Sequence, residues 1–236
     1  MRIAIVISHW NARSADNLRH LLSRVQQEQI TCEFSCLVVV NATEQKPLNL
    51  DASVRPVSIL YRSNVGMNIG AWDHGWRSAF DHDAFIFLQD ECVIVREGWL
   101  DVYRRKLADG SIGLIGESIN HDMSWDRFLR HPKPHRAAAR QQLHDEIKAL
   151  GIDPGPSSRH LQSLIWAARR DVLERIGGFP IGENKMQCIA SEVGVSLKVQ
   201  SAGLAVQLTG EHRFQWISHP QWDPNAPQSG AAEPAR

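Results

Sequence analysis

The stretch FIFLQDECVIVREGWL, residues 85–100, joins an apolar segment to two adjacent acids, Asp90 and Glu91. Its start is continuously apolar, which is the pattern of a strand buried on both faces of a parallel sheet. Neighbouring carboxylates repel each other, and a part-buried pair is costly unless a positive group lies beside it. A divalent cation is one candidate for that positive group.

On both sides of this stretch, apolar strand patterns alternate with amphipathic helical patterns. This alternation predicts an α/β fold with a mostly parallel sheet flanked by helices. Predicted strands cover residues 2–8, 34–40, 57–60, 84–88, 112–115, 161–168 and 204–208, and predicted helices cover residues 14–29, 70–80, 98–107, 137–150, 169–176 and 188–202.

The chain is long enough for one large domain, which we expect over residues 1–222. Residues 117–160 have an irregular pattern rich in His, Arg and Pro, and we interpret them as an insertion with mobile loops around one helix. Residues 223–236 are rich in Pro, Ala, Gly and Ser, which predicts a disordered tail.

Charge and cysteine content exclude some classes of protein. Lys plus Arg equals Asp plus Glu at 26 each, a balance that argues against binding to bulk nucleic acid or anionic lipid. The N-terminal apolar run is too short for a transmembrane segment and lacks a signal-peptide layout. The four cysteines show no C-x-x-C spacing, so we interpret them as reduced core thiols of a cytoplasmic protein.

Polar residues follow the predicted strands directly, where ligands bind in sheets of this type. This shared position is the first indication of function. The residues are Ser8, His9, Asn11, Asn41, Asn64, Asp90 and Glu91.

Four segments, in this order, resemble a GT-A glycosyltransferase of the large family 2 type. YRSNVGMNIGAWDHGW (61–76) and residues 85–100 resemble its Asn-x-Gly segment, acidic strand end and Gly-Trp-Leu helix start. IWAARRDVLERIGGFPIGEN (165–184) resembles the acceptor-side segment, and SEVGVSLKVQSAGLAV (191–206) resembles the acidic helix that ends in Gly. The resemblance implies a nucleotide-sugar half, residues 1–116, and an acceptor half, residues 117–222.

The resemblance implies that Asp90 and Glu91 hold Mg²⁺ or Mn²⁺, with Asp90 also nearer the ribose. Such an ion would neutralise the departing diphosphate, because carboxylates, phosphates and water are its preferred ligands. Cys92 departs from the family pattern, which usually has a second acid or Asn there. A C-terminal His closes the metal site in several such enzymes, so His212 and His219 are further candidate ligands.

Aligned through Gly203, the family's catalytic acid falls on Glu192. The resemblance therefore implies that Glu192 takes the proton from the acceptor hydroxyl of an inverting reaction. The chain has Ser191 and Gly194 where the family often carries further acids. Glu192 would then be an isolated acid at the start of an apolar and basic helix.

The nucleotide side of the family pattern is less complete, because Val40 stands where an Asp for the base is common. Asn41 or Thr43 would have to substitute for it. The resemblance places the remaining nucleotide contacts on Ser8, Asn11, Arg62, Asn64, Gly66 and Asn68. Specificity for the acceptor is expected in the irregular region, at His121, Asp122, Trp125, Arg127 and His131.

The leading hypothesis is therefore a metal-dependent, inverting glycosyltransferase that moves a hexosyl or deoxyhexosyl group from a nucleotide-diphosphate sugar. A saccharide or lipid-linked acceptor in bacterial polysaccharide or glycoconjugate synthesis fits this class, with any membrane association made through a partner. A nucleotidyltransferase and an inactive sugar-nucleotide-binding protein remain alternatives. A Rossmann dehydrogenase is disfavoured because no G-x-G-x-x-G follows the first strand.

Overall fold

The structure, a computed structural model, describes residues 1–28, 33–42, 47–50, 57–120, 123–162, 165–224 and 226. Thr43, His121 and Asp122 lie outside the described residues, and so does most of the predicted tail. In the described part of the chain, no helix is long and apolar enough to cross a membrane.

Strands and helices alternate along the chain largely as the apolar pattern predicts. The strands are β1 (Ile3–Trp10), β2 (Phe34–Ala42), β3 (Ser58–Ser63), β4 (Ala84–Gln89), β5 (Val93–Ile94), β6 (Ile112–Gly116), β7 (Ile165–Arg169), β8 (Ala205–Leu208) and β9 (Ile217–Ser218). The helices are α1 (Asp16–Gln27), α2 (Met67–Ser78), α3 (Trp99–Leu107), α4 (Trp125–Leu129), α5 (Pro134–Ala149), α6 (Arg170–Arg175) and α7 (Lys185–Ser201).

Seven of the described strands form one sheet in the order β3-β2-β1-β4-β7-β6-β8. β7 runs antiparallel to β4 and β6, and the other pairs are parallel. The C-terminal ends of β1, β2, β4 and β6 therefore meet at the edge where β7 begins. A short antiparallel pair, β5 with β9, lies beside this sheet. The prediction of a mostly parallel α/β sheet is confirmed.

Both faces of the central strands are buried, because alternate side chains of each strand enter different apolar clusters. In β1, Ile5 packs in the cluster under α1 and α3, whereas Val6 packs in the cluster under α2 and α7. Trp72 and Trp76 of α2 are core residues of the second cluster. Truncating a buried Trp of this kind to Ala costs roughly 3–5 kcal/mol of folding free energy.

Helix α1 begins two residues later than predicted, and Ser14 is not at its N-cap position. The Ser14 hydroxyl instead accepts the backbone N–H of Asp16 from just before the helix, at 3.2 Å. Helix α2 begins three residues earlier than predicted, because Gly66 adopts φ 73° and turns the chain directly into Met67. A Cβ at Gly66 would also lie 2.8 Å from the Ile181 side chain.

The region expected to be irregular contains packed helices. α4 was not predicted, and α5 begins at Pro134, a residue that suits the first helical turn. Trp125 of α4 and Ile147 of α5 pack with Val193 and Leu197 of α7 in a third apolar cluster. Two helices of this region are thus attached to the helix that carries Glu192.

Candidate active site

The loops that follow β1, β2 and β4 are joined by backbone hydrogen bonds. The N–H of Asp90 donates to the carbonyl of Ser8 at 3.1 Å, and the N–H of Asn11 donates to the carbonyl of Asn41 at 3.2 Å. The Ser8 hydroxyl donates to Asn68 Oδ1 at 3.0 Å, which adds the start of α2. The polar residues that follow separate strands in the sequence are therefore neighbours in the fold.

Asp90 is buried and its carboxylate contacts the buried imidazole of His9. The distance from His9 Nδ1 to Asp90 Oδ2 is 2.5 Å. An ionised carboxylate only accepts hydrogen bonds, so Nδ1 carries the proton and donates it. Asp90 thus has one oxygen committed to His9, a residue of β1 that the family resemblance does not point to.

Glu91 has a different set of neighbours. Arg13 of the first loop donates from Nη1 to Glu91 Oε1 at 2.6 Å, and His219 Nε2 lies 3.8 Å from Glu91 Oε2. Within the described structure, the acidic pair thus has the Arg13 guanidinium as its charged neighbour and the His9 imidazole as a hydrogen-bond partner. The Arg13 guanidinium thus supplies the positive group that two adjacent, part-buried carboxylates require.

His219 is buried beside Glu91, with 1% of its surface exposed. Burial lowers the pKa of His219 to about 4, so the ring is neutral at pH 7. Its Nδ1 accepts the backbone N–H of Gln221 at 3.1 Å, so the proton of the neutral ring is on Nε2. Nε2 has no hydrogen-bond partner among the described residues. Ligation of a metal by Nε2 would require the proton to leave that nitrogen, and the ligand role of His219 stays a prediction.

The structure treats the two candidate histidines differently. His212 is exposed, and its backbone N–H donates to Gln215 Oε1 at 3.3 Å. Only His219 of the two is described in contact with the acidic pair. Its position depends on the pairing of β9 with β5, in which Ile217 lies opposite Ile94.

Glu117, directly after β6, anchors the segment that carries His219. Its Oε1 accepts the Tyr103 hydroxyl at 2.8 Å and its Oε2 accepts the backbone N–H of Trp216 at 3.1 Å. Its backbone carbonyl accepts the N–H of Phe214 at 2.8 Å. Burial raises the pKa of Glu117, opposed by these hydrogen bonds. Glu117 was not predicted as a site residue, although an acid directly after a buried strand was the available signal.

Asn41 and Arg62 bind each other rather than presenting their polar groups to the cleft. Asn41 Nδ2 donates to the carbonyl of Met67 at 3.1 Å, and Asn41 Oδ1 accepts Arg62 Nη1 at 2.7 Å. Arg62 Nη2 donates to the carbonyl of Val65 at 2.6 Å. A Cβ at Gly70 would lie 2.2 Å from that carbonyl. These predicted nucleotide contacts together hold the loop that leads into α2.

Asn64 and Gly66 belong to the same turn. The carbonyl of Asn64 accepts the N–H of Met67 at 3.3 Å, and the carbonyl of Gly66 accepts the N–H of Gly70 at 2.9 Å. Their described bonds form the first turn of α2. A direct role for either residue in nucleotide binding stays a prediction.

Glu192 lies in the interior of α7 and not at its start, because the helix begins at Lys185 with Asn184 as its side-chain cap. The expectation of an acid at a helix N-terminus is therefore wrong for this residue. Its charge is close enough to Cys188 to raise the pKa of that thiol, after burial as the larger cause. Ser196, one turn later on the same face, accepts the N–H of Leu161 at 3.0 Å. This face is thus directed toward the segment that enters β7.

A divalent cation would find oxygen ligands at the end of β4. Asp90 Oδ1 and Glu91 Oε2 accept no hydrogen bond from the described residues, and both belong to carboxylates that Mg²⁺ and Mn²⁺ prefer. No group of three or more His, Cys, Asp or Glu residues in the described ranges is arranged to hold a metal. The two acids therefore fit an ion whose remaining ligands are phosphate and water oxygens.

A cavity of about 260 Å³ opens beside this acidic pair. Its walls come from the end of β1, the first loop, the start of α1 and residues 47–49. The lining residues include His9, Asn11, Arg13, Arg19 and Leu48. Asn11, predicted to line the nucleotide site, is thus placed on a cavity.

No protein-family profile matches this chain, and no curated protein sequence matches it. Among solved structures, the chain is similar to a mannosyltransferase from Pyrobaculum calidifontis in complex with GDP-Man and Mn²⁺. The TM-score is 0.56 at 15% identity, over 88% of this chain and 54% of that chain. The chain thus spans about half the length of the mannosyltransferase. The two chains share an α/β fold over the matched region.

A second solved structure, CMP:2-keto-3-deoxy-manno-octonic acid synthetase complexed with CTP, matches with a TM-score of 0.48 and 14% identity. That match covers 88% of this chain and 89% of the synthetase. At 15% identity the likeness to the mannosyltransferase is informative about fold alone, and function has to be argued from the site.

Proposed function

We propose that the protein is a metal-dependent, inverting glycosyltransferase of the family 2 type. It would move a hexosyl or deoxyhexosyl group from a nucleotide-diphosphate sugar to a hydroxyl of a saccharide or lipid-linked acceptor. Its setting would be cytoplasmic, in bacterial polysaccharide or glycoconjugate synthesis. Residues 1–116 would hold the donor, and residues 117–222 the acceptor.

The observation that supports this proposal most is the convergence of Asp90 and Glu91 with Arg13 at the carboxyl ends of β1 and β4. Ligands of open α/β sheets bind at this edge. The carboxylate oxygens suit a cation, and the Arg13 guanidinium suits a phosphate, because its fork of donors matches phosphate oxygens. One edge of the sheet therefore offers complementary groups for a diphosphate and its counter-ion.

In the proposed reaction, Asp90 and Glu91 would hold the cation. When bound, the ion would neutralise negative charge on the departing diphosphate. Arg13 lies 2.6 Å from Glu91 and would contact the same diphosphate from the first loop. Asp90 is oriented by its bond to His9, so its position is set before any ligand arrives.

Glu192 would accept the proton of the acceptor hydroxyl as that oxygen attacks the anomeric carbon. A positioned general base contributes roughly 10²–10⁴-fold to the rate. Support comes from its place on the face of α7 that is directed toward the beginning of β7, at the same edge of the sheet. The α4–α5 region packs on α7 and would form the acceptor side.

The decisive experiment measures which product forms from a panel of UDP-, GDP-, dTDP- and CMP-sugars with Mn²⁺ and candidate acceptors. A glycosyltransferase releases the nucleotide and extends the acceptor. A nucleotidyltransferase instead forms pyrophosphate from a sugar and a nucleoside triphosphate, and a binding protein binds without turnover.

Glu192→Gln should lower the transfer rate about 10²–10⁴-fold while the Kd for the nucleoside diphosphate stays within about twofold. Glu174→Gln, at an exposed acid of α6, is the matched control and should retain the wild-type rate. Full transfer activity in the Glu192 variant would contradict its assignment as the base.

A further inference from the structure

His9 is a buried imidazole whose two nitrogens face different surroundings. Only 2% of its surface is exposed. The distance from Nδ1 to Asp90 Oδ2 is 2.5 Å, and a neutral ring that donates from Nδ1 has its lone pair on Nε2. A histidine held in this way presents a hydrogen-bond acceptor of fixed direction on its other side.

That side of His9 lines the cavity of the first loop. Its volume, about 260 Å³, is near the lower end of the roughly 300–1,000 Å³ typical of small-molecule sites. This size suits a nucleoside and is too small for a whole nucleotide sugar. Leu48 contributes an apolar wall, and the planar guanidinium group of Arg19 can stack on a base.

The order of groups along the edge matches the order of groups in a nucleotide. Asp90, at the proposed diphosphate end, contacts Nδ1 of His9, and His9 also lines the cavity. In a nucleoside diphosphate, the ribose connects the phosphates to the base. The group beside His9 would then be the ribose, whose hydroxyls are hydrogen-bond donors.

We infer that His9 Nε2 accepts a hydrogen bond from a ribose hydroxyl of the donor nucleotide, and that Asp90 acts on the ribose through His9. This inference rests on the proposed function. It also reassigns a role, because the family resemblance gives the ribose contact to Asp90 directly. In this chain Asp90 Oδ2 is bound to the imidazole and Oδ1 is assigned to the proposed cation, so the ring would make the ribose contact. His9 is then a determinant of specificity for the sugar of the nucleotide.

The test compares a nucleoside diphosphate with its own deoxy analogues by isothermal titration calorimetry. UDP, GDP, CDP and ADP are titrated first into the wild-type protein, and the tightest binder is then compared with its 2′-deoxy and 3′-deoxy forms. One of the two analogues should bind about 3- to 10-fold more weakly, the contribution of one hydrogen bond.

His9→Asn separates the two sides of the ring. The Asn amide nitrogen reaches the position of Nδ1 and can still donate to Asp90, whereas nothing replaces Nε2. The deoxy penalty, which is the Kd of the weaker-binding deoxy analogue divided by the Kd of the parent nucleotide, should fall to about 1 in His9→Asn. It should persist in His9→Gln, whose amide reaches the position of Nε2, and in the control His20→Asn at an exposed site of α1.

If His9 had a purely structural role, its substitution would weaken binding of the parent nucleotide and of both deoxy analogues equally. The ratio of their Kd values would then be unchanged. An equal affinity of both deoxy analogues and the parent for the wild type, or a penalty that persists in His9→Asn, would overturn the inference alone. Absence of binding by any nucleoside diphosphate would overturn the proposed function as well.

Nitrogen-15 NMR of the wild-type histidines provides a measurement that does not depend on folding of the variants. The Nε2 resonance of His9 should shift on addition of the ribonucleotide. The analogue that lacks the bonded hydroxyl should leave it nearly unmoved, and the same shift with both ligands would contradict the inference.

Discussion

Two regions at the same edge of the sheet carry predicted site residues: the loop after β4, and the ends of β2 and β3 with the β3–α2 loop. They differ in whether the polar side chains are already hydrogen-bonded within the protein. In the loop after β4, Asp90 and Glu91 each keep a carboxylate oxygen that no described residue engages. At the ends of β2 and β3, the polar groups of Asn41 and Arg62 are hydrogen-bonded to each other and to backbone carbonyls. A polar residue at the end of a strand is thus well located for a ligand. Whether its polar atoms can bind that ligand depends on whether other residues of the protein already hydrogen-bond to them.

Under the proposed function, the first loop and the β4 loop would bind the ligand and the β3–α2 loop would support them. Asn68 connects the two regions through the Ser8 hydroxyl. Substitutions in the first region should therefore change binding and catalysis, and those in the second should change stability. Glu91→Gln in the first region and Arg62→Ala in the second test this division.

The largest effect is expected for Glu91→Gln. Loss of a carboxylate that faces the diphosphate should reduce transfer about 10²–10³-fold, the typical cost of removing one preorganised electrostatic group. Steady-state kinetics with the donor identified from the panel measures the change. Glu97→Gln, at an exposed acid a few residues later, should remain close to wild type. Comparable rates in the two variants would remove the functional distinction between the loops.

Arg62→Ala should act mainly on stability. It leaves the Asn41 amide oxygen and the Val65 carbonyl without their donors, which costs roughly 1–3 kcal/mol of unfolding free energy for a buried unsatisfied group. Urea denaturation measures this loss. Arg105→Ala, at an exposed arginine of α3, should change stability by less than about 0.5 kcal/mol.

The same Arg62 variant should bind the nucleoside diphosphate with the wild-type Kd once the folded fraction is accounted for. The opposite pattern, a tenfold weaker Kd with unchanged stability, would mean that Arg62 contacts the ligand directly. The two loops would then share one function.

The smallest effect is expected at Glu117, which supports the segment of His219. Burial raises its pKa above the ordinary 4.5, so the folded state binds the proton more tightly than the unfolded chain. The resulting stability is present below the unfolded pKa and is lost as pH rises through the folded pKa. Wild type should therefore lose stability relative to Glu117→Gln as pH rises above about 4.5.

Urea denaturation of both proteins between about pH 4 and pH 8 measures this difference. An identical pH dependence in wild type and Glu117→Gln would mean that the Glu117 carboxyl has the same pKa in the folded and unfolded states. Glu174→Gln, at an exposed acid, should reproduce the wild-type profile.

The apolar pattern was sufficient to predict most of the fold. Strands buried on both faces and helices with one apolar stripe are visible in single segments, and their ends are in error by only a few residues. The position of Asp90 and Glu91 after β4 was likewise readable from the chain. The short strands β5 and β9 were not predicted, because two-residue strands carry no periodicity of their own.

The sequence by itself determined the alternation of strands and helices, the buried core and the edge where polar residues collect, since these depend on local spacing of apolar side chains. Only the tertiary structure decided which polar groups remain for a ligand. His9 and Asp90 lie 81 positions apart, and Glu91 and His219 lie still further apart. Such pairs form because packing brings distant segments of the chain together. The local spacing of apolar residues contains no information about which distant segments become neighbours.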